Sequence, residues 1–332
     1  MTASRLGVLA LVPFLAGCAL LDDDEFHSEI HKIQRTLPVL VSGPETLPAS
    51  TAFAFLYFKE EDAGLYVAIS SDGYQWTPGN SGAPLMVSSF GLRDPSIARG
   101  PDGIYHMVFT GGGPDAIGYA SSPDLFSWSP VRAIRIMEFT PGTSACWAPE
   151  VAYDEADQRW IIAWSSQVSG CFEETTNLAK ANHRLYATTT RDWIRFDPPR
   201  LLLDPGYPVI DPAFARTGSG WRLLFKDERD TPDKKQLRLT SGPTPFGPWG
   251  RISDALTVHR VEAPAVLHVG SRDIVYFDEY RAGRYGAIRT EDYQGWDDVS
   301  KLMSFPPRAR HGTFIQIPPD VAARLGKTSG AR

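Results

Sequence analysis

Four short runs set a carboxylate beside a proline at the head of an apolar stretch: Arg93-Asp94-Pro95-Ser96-Ile97, Ala148-Pro149-Glu150-Val151, Ile210-Asp211-Pro212-Ala213-Phe214 and Glu262-Ala263-Pro264-Ala265-Val266. A fifth run, Arg310-His311-Gly312-Thr313-Phe314, puts a histidine where the others put an acid. Carboxylates gathered at one point repel one another, which raises some of their pKa values and leaves others ionised. A protonated carboxyl near an ionised one is the equipment of acid–base chemistry. The competing explanation is structural: each acid caps its own strand, or the group binds a cation such as calcium, which takes several oxygen ligands.

The spacing says what brings these residues together. Positions 94, 150, 211, 262 and 311 are separated by 56, 61, 51 and 49 residues, a period that marks a β-propeller in which each repeat is one four-stranded blade. Apolar runs at residues 53–58, 104–109, 160–164, 221–225 and 274–277 supply five further strands. After each comes a strand, a Ser, Thr or Asp turn and an aromatic, as in Val67-Ala68-Ile69-Ser70-Ser71-Asp72 before Trp76. The first repeat lacks an opening strand, and the last run, residues 311–317, is an opening strand with nothing after it. An all-β, five-bladed propeller closed by pairing that last strand into the N-terminally encoded blade follows, because closure removes two open sheet edges. The opening strands of blades line the central channel, so the acids would meet at one mouth of it.

These motifs resemble those of glycoside hydrolase family 43, five-bladed propeller glycosidases, and more loosely the related β-fructosidase clan. The likeness covers roughly residues 51–318. It implies that Asp94 is the general base, that Asp211 orients the acid and tunes its pKa, and that Glu262 is the general acid. Trp147-Ala148-Pro149-Glu150 resembles the family's second-blade Trp-Ala-Pro-Asp, with glutamate in place of aspartate. His311 is similar to a histidine near the channel axis that in relatives helps hold a water or a calcium ion. No cofactor is required on this reading, though a structural calcium in the channel with His311 as a ligand is an open possibility. Arg93, Trp147, Glu150, Arg284 and His311 are candidates for sugar contacts.

The residue types fit that chemistry on their own terms. Glycoside hydrolysis needs one carboxyl to protonate the leaving oxygen and another, ionised, on the opposite face; in an inverting enzyme the two stand roughly 6.5–9.5 Å apart, leaving room for water. The expectation is that Asp211 raises the pKa of Glu262 and that Asp94 stays ionised beside Arg93. The charged runs 226–230 and 278–281 read either as polar lining of the sugar site or as solvated strand ends. The activity expected is inverting cleavage of arabinofuranosyl, xylosyl or galactosyl linkages in oligo- or polysaccharides. The alternative is a non-catalytic carbohydrate-binding propeller on a cell surface, since fold alone does not fix function.

The chain has 332 residues and a net charge of −6, with 9 Trp, 12 Tyr and 17 Phe. It has no basic stripe interleaved with aromatics, so nucleic acid is not an expected partner. A single large domain, acting as a monomer, is expected. Residues 1–18 carry Arg5, an apolar run at 6–15 and then Leu15-Ala16-Gly17-Cys18, a secretion signal that resembles a bacterial lipobox with Cys18 as the lipidated residue. The run is too short to span a bilayer. Export and anchoring through Cys18 follow, with Ala19 inclining towards the outer membrane, and residues 19–50 would be a tether. His27 and His31 in that stretch have no third metal ligand. Cys146 and Cys171 flank a predicted hairpin and in an exported protein read as a disulfide. Residues 319–332 would be a tail.

Overall fold

The computed structural model describes residues 42–327; the lipobox with Cys18, most of the tether, His27 and His31 lie outside them. Within residues 43–327 five antiparallel sheets form, four of them built from consecutive strands. The first blade runs from the inner strand Arg93–Arg99 outward through Tyr105–Thr110, Ile117–Ser122 and Arg132–Ile134. The second has Thr143–Asp154, Arg159–Val168, Arg184–Thr190 and Arg200–Leu203. The third has three strands, Val209–Thr217, Gly220–Asp227 and Gln236–Gly242, and the fourth runs Glu262–Val269, Arg272–Glu279, Arg284–Thr290 and Asp297–Asp298. The closing blade takes its inner strand, Arg310–Gln316, from the C-terminal end and the next two, Phe53–Phe58 and Gly64–Ser70, from the other end. Phe53 stands opposite Gln316 and Tyr57 opposite Gly312. The expected closure is therefore present.

The five inner strands touch in the order closing, first, second, third, fourth and back to closing, which completes the ring. Apolar side chains fill the spaces between successive blades. Leu56, Met107 and Phe109 lie between the closing and first blades, Val108, Ile162 and Trp164 between the first and second, Phe214 and Phe225 between the second and third, and Leu224, Val275 and Phe277 between the third and fourth. The last interface is aromatic: Phe55 and Phe314 stack at 4.2 Å, and Phe314 stacks on Tyr276 at 3.8 Å. Burying a side chain of this size contributes about 1.5–3 kcal/mol, so each blade is held by its neighbours.

Two expectations change. Where a tail was read, Pro319–Leu325 forms a helix whose Ala322 and Leu325 are buried in the cluster between the closing and first blades. Cys146 and Cys171 are free thiols, not a disulfide. Cys146 faces Ser166 across the hairpin, its sulfur 3.9 Å from the Ser166 hydroxyl, while Cys171 lies beyond the strand end at Val168.

Candidate active site

Each inner strand breaks its register at the same place. Asp94-Pro95, Ala148-Pro149, Asp211-Pro212 and Ala263-Pro264 each put two residues opposite one on the second strand, and His311 is the extra residue of the closing strand. These are β-bulges, which re-aim side chains next to functional sites. The residue before each proline has a positive φ, from 45° at Ala148 to 59° at Ala263. A non-glycine residue held there costs on the order of 1–3 kcal/mol, so the fold maintains strain at four of five blades.

The bulges sort the acids into three levels. Asp94, Asp211 and His311 occupy the bulge itself. Glu262 stands one residue before it, at the rim, level with Arg93, Trp147, Ile210 and Arg310. Glu150 lies two residues beyond, deeper in the channel, level with Ser96. The sequence places all four acids at one mouth of the channel; the offset between their levels follows from alignment on the proline, not on the acid.

Asp94 and His311 form the centre. The His311 Nδ1 is 3.4 Å from Asp94 Oδ1, and the Thr110 hydroxyl donates to Asp94 Oδ2 at 2.7 Å. Burial pushes the Asp94 carboxyl up, but the imidazole and the hydroxyl outweigh it and hold Asp94 below the ordinary aspartate range. For His311, burial opposes the charge, yet Asp94 and, behind it, Asp211 and Glu262 raise it to about 9. It is a cation at neutral pH.

Asp211 accepts a hydrogen bond from the Ala263 N–H at 3.0 Å, and its own N–H donates to the Ser165 hydroxyl at 2.9 Å. Burial lifts its carboxyl to about 6; the His311 charge opposes the rise and that of Glu262 adds to it. Glu262 sits between two cations, with Lys226 Nζ 3.1 Å from Oε2 and Arg310 Nη2 3.0 Å from Oε1. The sequence reading surrounded Glu262 with negative charge; the structure gives it Lys226 and Arg310 as direct partners, and Asp211 is the carboxyl that burial and a neighbouring acid push up. Lys226 is buried and also meets Glu228 at 2.9 Å, and Arg310 also meets Asp278 at 2.6 Å and Glu60 at 2.6 Å.

Glu150 accepts from the Ser96 hydroxyl at 2.6 Å and from the Phe214 N–H at 3.3 Å, so its side chain links the first, second and third blades. Burial pushes it to about 7, with those two hydrogen bonds opposing. The extra methylene of glutamate gives the reach to Phe214. Arg93 is exposed and pairs with Glu60 at 3.3 Å, and Arg284, exposed at the same end of the fourth blade, pairs with Glu279 at 2.8 Å. Trp147 stands half-exposed at the rim.

A sequence model described as a probable glycosyl hydrolase domain, of the glycosyl hydrolase 43-related family, matches residues 49–320. The chain belongs to that family. An alpha-L-arabinofuranosidase of Bifidobacterium longum subsp. longum is 23% identical over 229 residues, 60% of this chain and 22% of that protein; the chain thus spans about a fifth of that relative's length. A thermostable family-43 glycoside hydrolase of known structure superposes with a TM-score of 0.55 at 14% identity, covering 69% of this chain and 80% of the other. The alpha-L-arabinofuranosidase from Lactobacillus brevis does so with 0.50 at 15%, covering 63% and 72%. The two superpositions show the same fold.

The residues present do not fit a directly coordinated calcium ion. Among the described residues no three His, Cys, Asp or Glu side chains are grouped as a metal site, and the His311 ring that would contribute is a charged imidazolium turned to Asp94. Four site residues escaped the sequence reading: Thr110, Ser165, Ser96 and Arg310. Thr110 and Ser165, with Lys226 and Asp278, directly follow Phe109, Trp164, Phe225 and Phe277, the aromatic residues that stand opposite the bulges. That aromatic-then-polar pair, recurring at the end of each second strand, was the available signal.

Proposed function

We propose that this chain hydrolyses arabinofuranosyl, xylosyl or galactosyl linkages in oligo- or polysaccharides, with inversion at the anomeric carbon. The observation that carries it is the division of labour in the channel: an Asp94 kept ionised by His311 and Thr110, and, on blades that do not adjoin the first, Glu262 beside an Asp211 whose carboxyl is raised to about 6 by burial and by the charge of Glu262. In this reading Asp94 takes a proton from a water whose oxygen bonds to the anomeric carbon, and Glu262, entering the step as the protonated acid, gives its proton to the departing oxygen as the glycosidic bond breaks. Lys226 and Arg310 position Glu262 and balance its charge once the proton has left. The relative named as an arabinofuranosidase makes arabinofuranosyl the first linkage to test. Aryl glycosides of the three sugars should show turnover of at least one, with NMR of the first-formed product giving the inverted anomer. A retained anomer would remove the mechanism, and no turnover on these or on natural glycans would remove the function.

Export as a monomeric lipoprotein is also proposed, supported by Leu15-Ala16-Gly17-Cys18 and the apolar run before it. Cys18→Ser should move the protein from the membrane to the soluble fraction; an unchanged membrane fraction would dispose of the anchor.

A further inference from the structure

The charged run Lys226-Asp227-Glu228-Arg229-Asp230 ends the second strand of the third blade and continues past it. Alternate residues of an extended chain face opposite sides, and the run divides in that way. Asp227 is bound by Arg229 at 2.6 Å and by Arg238 at 2.7 Å. Lys226 meets Glu262 and Glu228 instead, and Lys235 meets Glu228 at 2.6 Å and Asp230 at 2.9 Å. These ion pairs form one row of alternating sign, from Asp230 through Lys235, Glu228, Lys226 and Glu262 to Arg310, which runs from the third blade across the fourth to the closing blade.

Lys226 has two carboxylates within reach and gives its hydrogen bond to one of them. It donates to Glu262 Oε2 at 3.1 Å. Glu228 Oε2, 2.9 Å from the same amine, is a buried oxygen that accepts no hydrogen bond, while Oε1 of the same carboxylate accepts from Lys235 at 2.6 Å. Glu228 is fixed in this position: its N–H donates to the Pro208 carbonyl at 2.9 Å, and its own carbonyl accepts from Asn177 Nδ2 at 3.0 Å and from Lys235 Nζ at 3.1 Å. Lys226 is buried, with the Tyr280 ring centroid 4.9 Å from its amine. Burial opposes its charge, yet Glu262, Glu228 and Asp211 outweigh burial and hold the amine above the ordinary lysine range. A Glu262 that has taken up a proton is no longer an anion, and a buried cation left without its anion is costly. A lysine with Glu262 as its sole partner would therefore keep that carboxyl ionised, and a second anion removes the difficulty.

We propose that Glu228 is a positioning residue for the acid: when Glu262 is protonated, the Lys226 ammonium moves its hydrogen bond from Glu262 Oε2 to Glu228 Oε2, and it returns once the proton has gone to the departing oxygen. This rests on the hydrolase reading above. Lys226 stays an ammonium throughout, and the proton on Glu262 is the one transferred. Arg310 stays on Glu262 Oε1 in both states. The other titratable groups that face the exchange are His183 from the second blade, Asp211 from the third, Asp278 and Tyr280 from the fourth and His311 from the closing blade. All of them are left intact by the variants that test it.

The test is the pH dependence of kcat/KM for the full chain and for its Glu228→Gln and Lys235→Met variants, on an oligosaccharide that the parent cleaves. Glu228→Gln leaves Lys226 with Glu262 as its one anionic partner at hydrogen-bond distance. The basic limb, where Glu262 loses its proton, should then fall by about one pH unit, roughly a tenfold loss at any pH above the limb. Lys235→Met frees Glu228 for Lys226 and should move the same limb upward. The acidic limb, set by Asp94, should stay in place in both variants, and activated aryl glycosides, which need no proton from Glu262, should show neither shift. A loss equal at every pH, limbs that move in the same direction in the two variants, or limbs that do not move would overturn the proposal. Should Glu228→Gln fail to fold, the upward shift in Lys235→Met decides alone. NMR titration of the Glu262 carboxyl, identified by its absence in Glu262→Gln, reads the same coupling without turnover. If the parent hydrolyses nothing yet this titration moves down in Glu228→Gln, the hydrolase reading fails and the exchange stands; if the parent cleaves oligosaccharides and neither variant moves the limb or the titration, the reverse holds.

Discussion

Asp94 and Glu262 differ in what surrounds them more than in what they are. Asp94 has one cation and one hydroxyl and little freedom; Glu262 has two cations, and its charge helps raise the carboxyl of Asp211. If Glu262 delivers the proton, Glu262→Gln should lose several orders of magnitude of kcat on poor leaving groups and far less on activated aryl glycosides, since only the former need protonation. Asp94→Asn should fail on both, and near-normal turnover by it would transfer the base role, with Glu150 next in line. Glu150 itself reports through stability. Its carboxyl is raised from 4.5 to about 7 by burial, so the folded state holds that proton more tightly than the unfolded chain does. Its contribution is therefore complete below pH 4.5 and lost as pH rises through 7, on the order of 3 kcal/mol. Glu150→Gln keeps a partner for Ser96 and Phe214 and should flatten the fall of Tm between pH 5 and 8; an unchanged slope in that variant would show that Glu150 is not the titrating group. His311, raised to about 9, loses its own contribution progressively between pH 6.5 and 9, so the slope below pH 6.5 owes nothing to it and is the part that Glu150→Gln should flatten.

At the scale of the element, the β-bulge decides what a strand contributes. The prolines were visible in the sequence and so were the acids, but the level of each acid was not, because one residue of offset moves a side chain from bulge to rim to depth. Asp94, Asp211 and His311 were legible as a group. The cations on Glu262 were not, because Lys226 lies at the end of a second strand and Arg310 on the last inner strand, and only closure of the ring brings both to Glu262. The hairpin of the second blade gives the opposite lesson. Cys146 and Cys171 do flank its open end, yet flanking is a statement about chain ends, and a disulfide also needs the two Cβ vectors to face each other. Cys146 lies in the cluster of Trp164 and Ile162, against whose edge Cys171 also packs, with its sulfur 3.9 Å from the Ser166 hydroxyl, and burial pushes its thiol up to about 12. Thiol titration should find Cys171 reacting in the folded protein ahead of Cys146, and both reacting in unfolded, unreduced protein. A single missing pair of thiols there would restore the bridge.

At the scale of the whole molecule, the ring is stable only as a ring. The five-part repeat and its closure could be read from the sequence because each end of the chain supplies the strand the other lacks. The helix Pro319–Leu325 could not, since it belongs to no repeat and its anchoring residues, Ala322 and Leu325, look like any short apolar pair. Closure concentrates much of the packing in one strand: Phe314 stacks on both Phe55 and Tyr276, Arg310 joins Glu60, Glu262 and Asp278, and Thr313 donates to the Pro95 carbonyl at 2.9 Å. Gly312 has no room for a side chain, because a Cβ would run into the Leu56 carbonyl. Two truncations separate the contributions. Ending the chain after Pro318 removes the helix and leaves the closing strand, and should cost about 2–5 kcal/mol, the range for emptying a buried Leu position, while the protein stays folded. Ending it after Pro307 removes the strand as well, opens an edge on Phe53–Phe58, uncovers Tyr276 and leaves Asp278 and Glu262 without Arg310; a buried ion pair broken in this way alone costs about 3–5 kcal/mol. Added to the lost aromatic stack, that approaches the 5–15 kcal/mol by which whole domains are stable, so this chain should be insoluble or unfolded by circular dichroism. A soluble product with the parent's Tm would mean that the four remaining blades hold without closure.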